Sequence, residues 1–133
     1  MRRDIDALVG AFRDGTLPRA EWTHREHLLV ALWFLRRFPR GEATALLRQA
    51  IQRYNAHNGN TAGYHETITR AWVAVVARFL AGRDPGEPLA DAAQALVAEC
   101  GDKNYLLRYY SSAVLFSDAA RHAWVPPDVQ PLP

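Results

Sequence analysis

Four histidines are the residues of this 133-residue chain whose type and spacing suggest chemistry. His24 and His27 form a His-x-x-His pair, which on a helix places both imidazoles on neighbouring positions of one face. His57 and His65 follow later in the chain. Because neutral imidazoles are good ligands for zinc, iron, copper and nickel, we predict a metal centre wherever the fold brings these four side chains together.

The helix that carries the His-x-x-His pair has the strongest start signal in the sequence. Thr23 is followed three residues later by Glu26, a capping-box pattern that makes His24 the first helical residue. Every residue from 28 to 35 is apolar, which indicates a helix buried on nearly all sides. Pro39 ends this helix. The apolar run is far shorter than the ~18 to 20 residues needed to cross a bilayer, so a membrane span is not expected.

Apolar stripes of helical period predict further helices on both sides of this central one. They cover residues 3–13, about 42–57, about 64–81 and 89–100, and shorter helical segments are expected at 105–110 and 117–124. Residues 125–133 are rich in proline and are expected to be extended. We therefore predict an all-α, single-domain antiparallel bundle of about five to seven helices over residues 1–133, with a core bundle at 3–100 and C-terminal helices and tail at 103–133.

Short connections between consecutive helices predict that neighbours run antiparallel. In that arrangement His24, His27, His57 and His65 all reach the end of the bundle where the central helix begins. Their spacing from apolar residues also places each on a buried face; His57, for example, lies three residues after Tyr54. The bundle end is therefore the predicted metal site, and which of the four histidines are ligands stays open.

The predicted function is that of a small metal-dependent enzyme acting on a small organic substrate. Zinc is the default cofactor, with iron or copper as alternatives, and metal-activated water performing hydrolysis is the default reaction. Iron or copper would instead favour oxygen-dependent chemistry. Two further side chains are catalytic candidates at the same end. Glu66 could act as a general base, although an ion pair with Arg70 would also explain it, and Cys100 could be a nucleophile or simply a small buried hydrophobe.

Four aromatic residues are predicted to wall a substrate pocket beside the histidines, although aromatic stripes at helical spacing more often belong to a core. They are Trp22, Tyr54, Tyr64 and Trp72. The fifth histidine, His122, is expected on the surface.

A second hypothesis assigns the histidines to structure. Histidines near helix ends can cap carbonyl groups or form a hydrogen-bonded polar end to a core. The protein would then be a non-catalytic helical module that binds a partner, with the proline-rich tail as the contact. Metal content distinguishes the two hypotheses.

Composition limits the remaining function classes. The net charge is only +2, which does not indicate a nucleic-acid partner, and the oligomeric state stays open. Cys100 is the single cysteine and cannot form an internal disulfide. Residues 1–6 lack the apolar run of a signal peptide. A soluble cytoplasmic protein is expected.

Three segments of the chain carry a resemblance to known sequences. They are Trp-Thr-His-Arg-Glu-His-Leu at 22–28, Gly-Tyr-His-Glu-Thr-Ile-Thr-Arg-Ala-Trp at 63–72, and Leu-Phe-Ser-Asp-Ala-Ala-Arg-His-Ala-Trp-Val-Pro-Pro-Asp at 115–128. Together they resemble a family of small bacterial helical proteins to which no activity is attached, and the likeness extends over most of the chain. The resemblance implies a stand-alone domain and transfers no catalytic residue.

Overall fold

The structure is a computed structural model that describes residues 4–60 and 62–133. Throughout this part of the chain it contains helices and no strand, which confirms the predicted all-helical class. Two 3-10 turns lie at Arg19–Glu21 and Tyr105–Arg108. The predicted start of the first helix at residue 3 lies outside the described residues. The α-helices are Ile5–Asp14 (α1), His24–Arg37 (α2), Arg40–His57 (α3), Glu66–Ala81 (α4), Leu89–Cys100 (α5), Ser112–Leu115 (α6) and Asp118–His122 (α7).

Helix α2 lies at the centre of the bundle, as its apolar run predicts. Residues 28–32 are all buried, and α2 contacts α1, α3, α4 and α5. The second most buried segment is residues 71–76 of α4. These two segments supply much of a single hydrophobic core that extends from Leu8 to Leu115. The antiparallel order of the helices stays a prediction.

The start of α2 differs in one detail from the predicted capping box. Thr23 is the N-cap residue, but its side chain makes no hydrogen bond to the helix backbone. Its hydroxyl instead donates to the carboxylate of Glu26. The predicted hydrogen bonds from the helix backbone to the side chains of Thr23 and Glu26 are therefore wrong, because the two side chains bond to each other.

The starts of α3 and α4 also differ from the prediction. Helix α3 begins at Arg40, directly after Pro39 and before the predicted position 42, since a proline is well suited to the residue that precedes a helix. Helix α4 begins at Glu66, because the preceding His65 lies in extended conformation and acts as its N-cap.

Residues 123–130 near the C-terminus form hydrogen bonds with the rest of the bundle. The amide of Val129 donates to the carbonyl of Tyr109 (2.9 Å), and the hydroxyl of Tyr110 donates to the carbonyl of Val125 (2.7 Å). The buried hydroxyl of Thr67 in α4 donates to the carbonyl of Ala123 (2.9 Å) and accepts from the amide of Val125 (3.1 Å). Residues 123–130 are therefore tied to elements from two distant parts of the chain.

Two smaller expectations concern the last helix and the membrane. The helix expected at 117–124 is present as α7, and Ser117 caps it by accepting a hydrogen bond from the amide of Ala120 at 3.2 Å. Among the helices of the described residues, none is both long enough and apolar enough to span a bilayer.

Candidate functional site

His24 links the start of α2 to the end of α5. Its Nε2 lies 3.3 Å from the carbonyl oxygen of Cys100, and its ring lies against that of Trp72 with 4.9 Å between centroids. His24 therefore contacts both Trp72 and the backbone of Cys100, two of the other residues predicted for the site. The histidine faces the backbone of Cys100, and no hydrogen bond joins it to the thiol.

His27 is packed against an aromatic cluster. Its Nδ1 lies 2.8 Å from the carbonyl oxygen of Thr23, so the hydrogen is on that nitrogen, and its ring stacks on Trp22 with 3.8 Å between centroids. Burial lowers the pKa of His27, which keeps the ring neutral at pH 7. His27 is therefore a neutral ring that stacks on Trp22 and bonds to its own helix start.

Trp22 and Tyr54, two of the predicted pocket residues, belong to an aromatic cluster with Phe12. Trp22 stacks on Phe12 with 4.4 Å between ring centroids and lies 5.4 Å from Tyr54. The hydroxyl of Tyr54 donates to the carbonyl of Leu17 at 2.8 Å. Both aromatic residues pack between α1, α2 and α3. This packing is what we expect of aromatic residues that belong to the core.

His65 uses both ring nitrogens to hold the start of α4. Its Nδ1 accepts a hydrogen bond from the amide of Ile68 at 3.0 Å, so this nitrogen carries no hydrogen. Its Nε2 lies 2.7 Å from the carbonyl oxygen of Leu115 and must therefore be the donor. Burial lowers the pKa of His65, in agreement with a neutral ring. No lone pair of this imidazole is left for a metal ion.

The other two histidines lie outside the expected site. His57 is exposed, so the prediction that it continues a buried stripe is wrong. Its ring lies against Gly15, whose φ of +82° ends α1 and where a Cβ would approach His57 Cδ2 to 2.7 Å. His122 is exposed, as predicted, and its Nδ1 lies 2.8 Å from the carbonyl oxygen of Asp118.

These placements do not fit a multi-histidine metal centre. Within residues 4–60 and 62–133, no three histidine, cysteine, aspartate or glutamate side chains stand together in a way that could hold an ion. The ring of His65 is engaged on both sides, and His57 packs on the end of α1. The predicted ligand set of His24, His27, His57 and His65 therefore has no geometric support.

Glu66, the candidate general base, is the centre of an ion-pair cluster. Arg48 of α3 donates to both carboxylate oxygens at 2.9 and 2.7 Å, and the hydroxyl of Tyr64 donates at 2.6 Å. The predicted partner Arg70 lies farther away, at 3.9 Å. Burial alone would raise the pKa of Glu66, but the hydrogen bonds from Arg48 and Tyr64 outweigh it and the pKa lies below its usual range. A carboxylate held in this way is a weak base.

Cys100, the candidate nucleophile, is buried at the end of α5. Burial raises the pKa of its thiol, although a hydrogen bond with Tyr105 acts in the opposite direction. The thiol is therefore protonated at pH 7 and poorly suited to nucleophilic attack. Three aromatic residues follow one another next to Cys100. The ring centroid of Tyr105 lies 5.7 Å from that of Trp72 and 6.1 Å from that of Tyr109.

A cavity of about 450 Å³ opens between α4, α5 and the 3-10 turn at Tyr105–Arg108. We call it the thiol cavity. Sequence reasoning missed Arg78, Phe79, Tyr105 and Tyr109 as site residues. The only local signal was the spacing of the two tyrosines, one turn apart just after Gly101. The principal lining residues are Val75, Arg78, Phe79, Cys100, Tyr105 and Tyr109.

The charges around the thiol cavity are unequally paired. Arg83, at its edge, forms an ion pair with Glu87 and also interacts with Glu99, a further lining residue. No carboxylate in the described part of the chain forms an ion pair with Arg78. The guanidinium group of Arg78 therefore keeps its hydrogen-bond donors free of any carboxylate partner among the described residues, although Glu99 lines the same cavity.

Comparison with known proteins adds no identification. No family model matches this chain, and no curated protein or solved structure is significantly similar to it. The resemblance to a family of small bacterial proteins stays a prediction.

Proposed function

We propose that this protein binds a small organic acid in the thiol cavity. The observation that carries the proposal is the combination of aromatic rings and one unpaired guanidinium group in a cavity of about 450 Å³. Pockets for small molecules are typically ~300 to 1,000 Å³, mostly apolar, with a few polar groups that fix orientation. The thiol cavity lies within that size range and presents both polar and apolar side chains to a ligand.

The chemistry of the lining favours an aromatic or branched apolar acid. Phe79, Tyr105 and Tyr109 supply aromatic surface to the lining, although guanidinium groups already lie over the rings of Phe79 and Tyr105. Arg78 offers a planar fork of donors that matches a carboxylate. A molecule with an apolar end and a carboxylate end would satisfy both parts of the cavity.

The same residues support binding better than catalysis. The thiol of Cys100 is protonated at neutral pH because burial raises its pKa, and His24 is directed at the backbone carbonyl of Cys100 instead of at the thiol. A cysteine nucleophile needs an adjacent base or a lowered pKa. The proposal therefore requires neither a nucleophile nor a metal ion, and the metal-dependent hydrolase stays an untested alternative.

The proposal can be tested by titrating benzoate and benzyl alcohol into ¹⁵N-labelled protein and following the amide resonances of Gly82 and Tyr109. We expect saturable shifts with benzoate and much weaker ones with the uncharged alcohol, because only the carboxylate pairs with Arg78. The variant R78Q should weaken benzoate binding by about three- to tenfold, as expected for one charged hydrogen bond at a partly solvated site.

The matched control is R53Q, an exposed arginine of α3 that does not line the thiol cavity. It should leave the benzoate affinity unchanged. Equal affinity for benzoate and benzyl alcohol, or equal losses in R78Q and R53Q, would contradict the assignment of Arg78. Absence of saturable binding by both compounds would refute the proposed site.

A further inference from the structure

A second cavity, of about 560 Å³, lies between α3 and α4 and has a different chemistry. We call it the arginine cavity. Three arginines line it, Arg40 and Arg48 from α3 and Arg70 from α4, together with Thr44 and Val73. None of these residues lines the thiol cavity. The function proposed above does not use this cluster of cations.

The arginine cavity carries an excess of positive charge. Glu66 holds Arg48 through two short hydrogen bonds and lies 3.9 Å from Arg70. Over the residues that the structure describes, no carboxylate forms an ion pair with Arg40. Glu66 pairs with two of the three guanidinium groups, so the three arginines and Glu66 together carry two positive charges.

Two of the three arginines are held in place by their neighbours. The bidentate contact with Glu66 fixes the guanidinium plane of Arg48. The guanidinium of Arg70 lies over the ring of Trp124, 4.8 Å from its centroid, which limits its freedom without using its hydrogen-bond donors. An anion entering the cavity therefore meets donors that are already oriented, which lowers the entropic cost of binding.

The number of charges and donors favours a phosphate monoester over a carboxylic acid. A phosphate monoester carries close to two negative charges above its second pKa of about 6, which matches the excess of the cavity, whereas a carboxylate neutralises only half of it. Its oxygens can also contact more than one arginine at once, and guanidinium forks match phosphate geometry. Thr44 contributes no donor, because its hydroxyl donates to the carbonyl of Arg40 at 2.7 Å.

We propose that Arg40, Arg48 and Arg70 form a binding site for the dianionic phosphate group of a phosphate monoester. Arg40 and Arg70 make the direct contacts, and Arg48 contributes its charge and its remaining donors while Glu66 holds it. Val73, a buried residue of the cavity lining, is the apolar side chain available to the organic part of the ligand. This site is independent of the thiol cavity.

The proposal is tested by titrating phenyl phosphate into ¹⁵N-labelled protein at pH 8 while the amide resonances of Gly41 and Thr44 are followed. We expect saturable shifts at these residues. Phenyl sulfate has the same shape but one negative charge, so it should bind about three- to tenfold more weakly. Lowering the pH to 5 should weaken the binding of phenyl phosphate by a similar factor, because the phosphate group then carries a single negative charge.

The decisive variant is R40Q, with R53Q as its matched control. Both arginines are exposed on α3 and neither forms an ion pair with a described carboxylate, so both variants should fold normally, as unchanged thermal unfolding would verify. R40Q should weaken phenyl phosphate binding by about three- to tenfold, whereas R53Q should not change it. Equal losses in the two variants, or equal binding of phosphate and sulfate esters, would reduce the effect to general charge attraction and overturn the proposal.

A vesicle-binding experiment distinguishes a lipid headgroup from a soluble phosphate monoester as the ligand. Co-sedimentation with phosphatidylcholine vesicles that contain phosphatidic acid, lost in R40Q, would support the site and assign the group to a lipid. Binding of phenyl phosphate without co-sedimentation would support the site and assign the group to a soluble ester. Failure of both would overturn the proposal, and it would leave the benzoate test of the thiol cavity unaffected.

Discussion

The first turns of α2 and α4 use histidine in opposite ways. His65 precedes α4 and turns its ring back onto the helix backbone, where Nδ1 accepts the hydrogen bond of the Ile68 amide. His24 lies inside α2, and the cap position before it is held by Thr23, whose hydroxyl bonds to Glu26 instead of the backbone. A shift of one position relative to the helix start therefore changes a histidine from a cap into a packing residue.

The largest effect is expected at the start of α4. H65A removes the cap, worth about 0.5 to 2 kcal/mol, and leaves the carbonyl of Leu115 without its partner, at about 1 to 3 kcal/mol. We therefore expect a loss of about 2 to 4 kcal/mol in the free energy of unfolding, measured with urea. The matched variant H65N keeps a cap acceptor and should recover about 1 kcal/mol. Equal losses in both variants would show that the ring does not act as a cap.

A second effect, smaller and shared by both helix starts, concerns pH. Burial lowers the folded-state pKa of both His27 and His65, whereas histidine in the unfolded chain titrates near 6.5. Below about pH 6.5 the unfolded state binds more protons, so stability is complete above that pH and is lost as the pH falls toward the folded-state values.

This pH effect can be measured by thermal unfolding between pH 8 and pH 5. The melting temperature should fall below about pH 6.5, and H65N should show a shallower fall because it lacks one of the two titrating rings. A profile of the same slope in H65N and wild type would assign the pH dependence to other groups.

The cap of α2 should contribute little to stability. T23A removes a hydroxyl that makes no hydrogen bond to the helix backbone, so we expect less than about 0.5 kcal/mol. At α1 the carboxylate of Asp4 does accept from the amide of Ala7, at 2.7 Å, so D4A should cost about 1 kcal/mol. A larger loss in T23A than in D4A, measured by urea unfolding, would restore the predicted capping box.

The smallest expected effect is that of added zinc. An ion held by three histidines would stabilise the fold by about 2.7 kcal/mol at a hundredfold excess over its dissociation constant. Because the ring of His65 is engaged on both nitrogens, we expect no change in melting temperature and no bound metal in untagged protein by elemental analysis. A stabilisation by zinc that disappears in H24A would favour the metal-dependent enzyme over the binding protein.

Much of the fold could be predicted from local patterns. The run at 28–35 identified the central helix because a segment that is apolar on every side has to be surrounded by others. His24 and Cys100, both expected at the same end of the bundle, lie in contact, with 3.3 Å between His24 Nε2 and the carbonyl oxygen of Cys100. The central helix could be predicted because it depends on apolar periodicity, which sequence spacing records.

The candidate site could not be predicted to the same degree. Glu66 pairs mainly with Arg48 from α3, a contact between helices that the local i,i+4 rule with Arg70 cannot express. His57 ends α3 with its ring on Gly15, and this outward position depends on how α3 is rotated against α1. The thiol cavity likewise depends on where the turn after α5 places Tyr105 and Tyr109.

The hydrogen bonds of Thr67 have a consequence for biosynthesis. This hydroxyl is fully buried in α4, yet its partners Ala123 and Val125 leave the ribosome more than fifty residues later. While α4 emerges, the hydroxyl must remain bonded to water or to its own helix, since burying it unpaired is costly. Completion of the core around Thr67 should therefore wait until residues 123–125 have been translated, and nascent chains stalled before that point should be cut by protease near α4 more readily than those stalled after it.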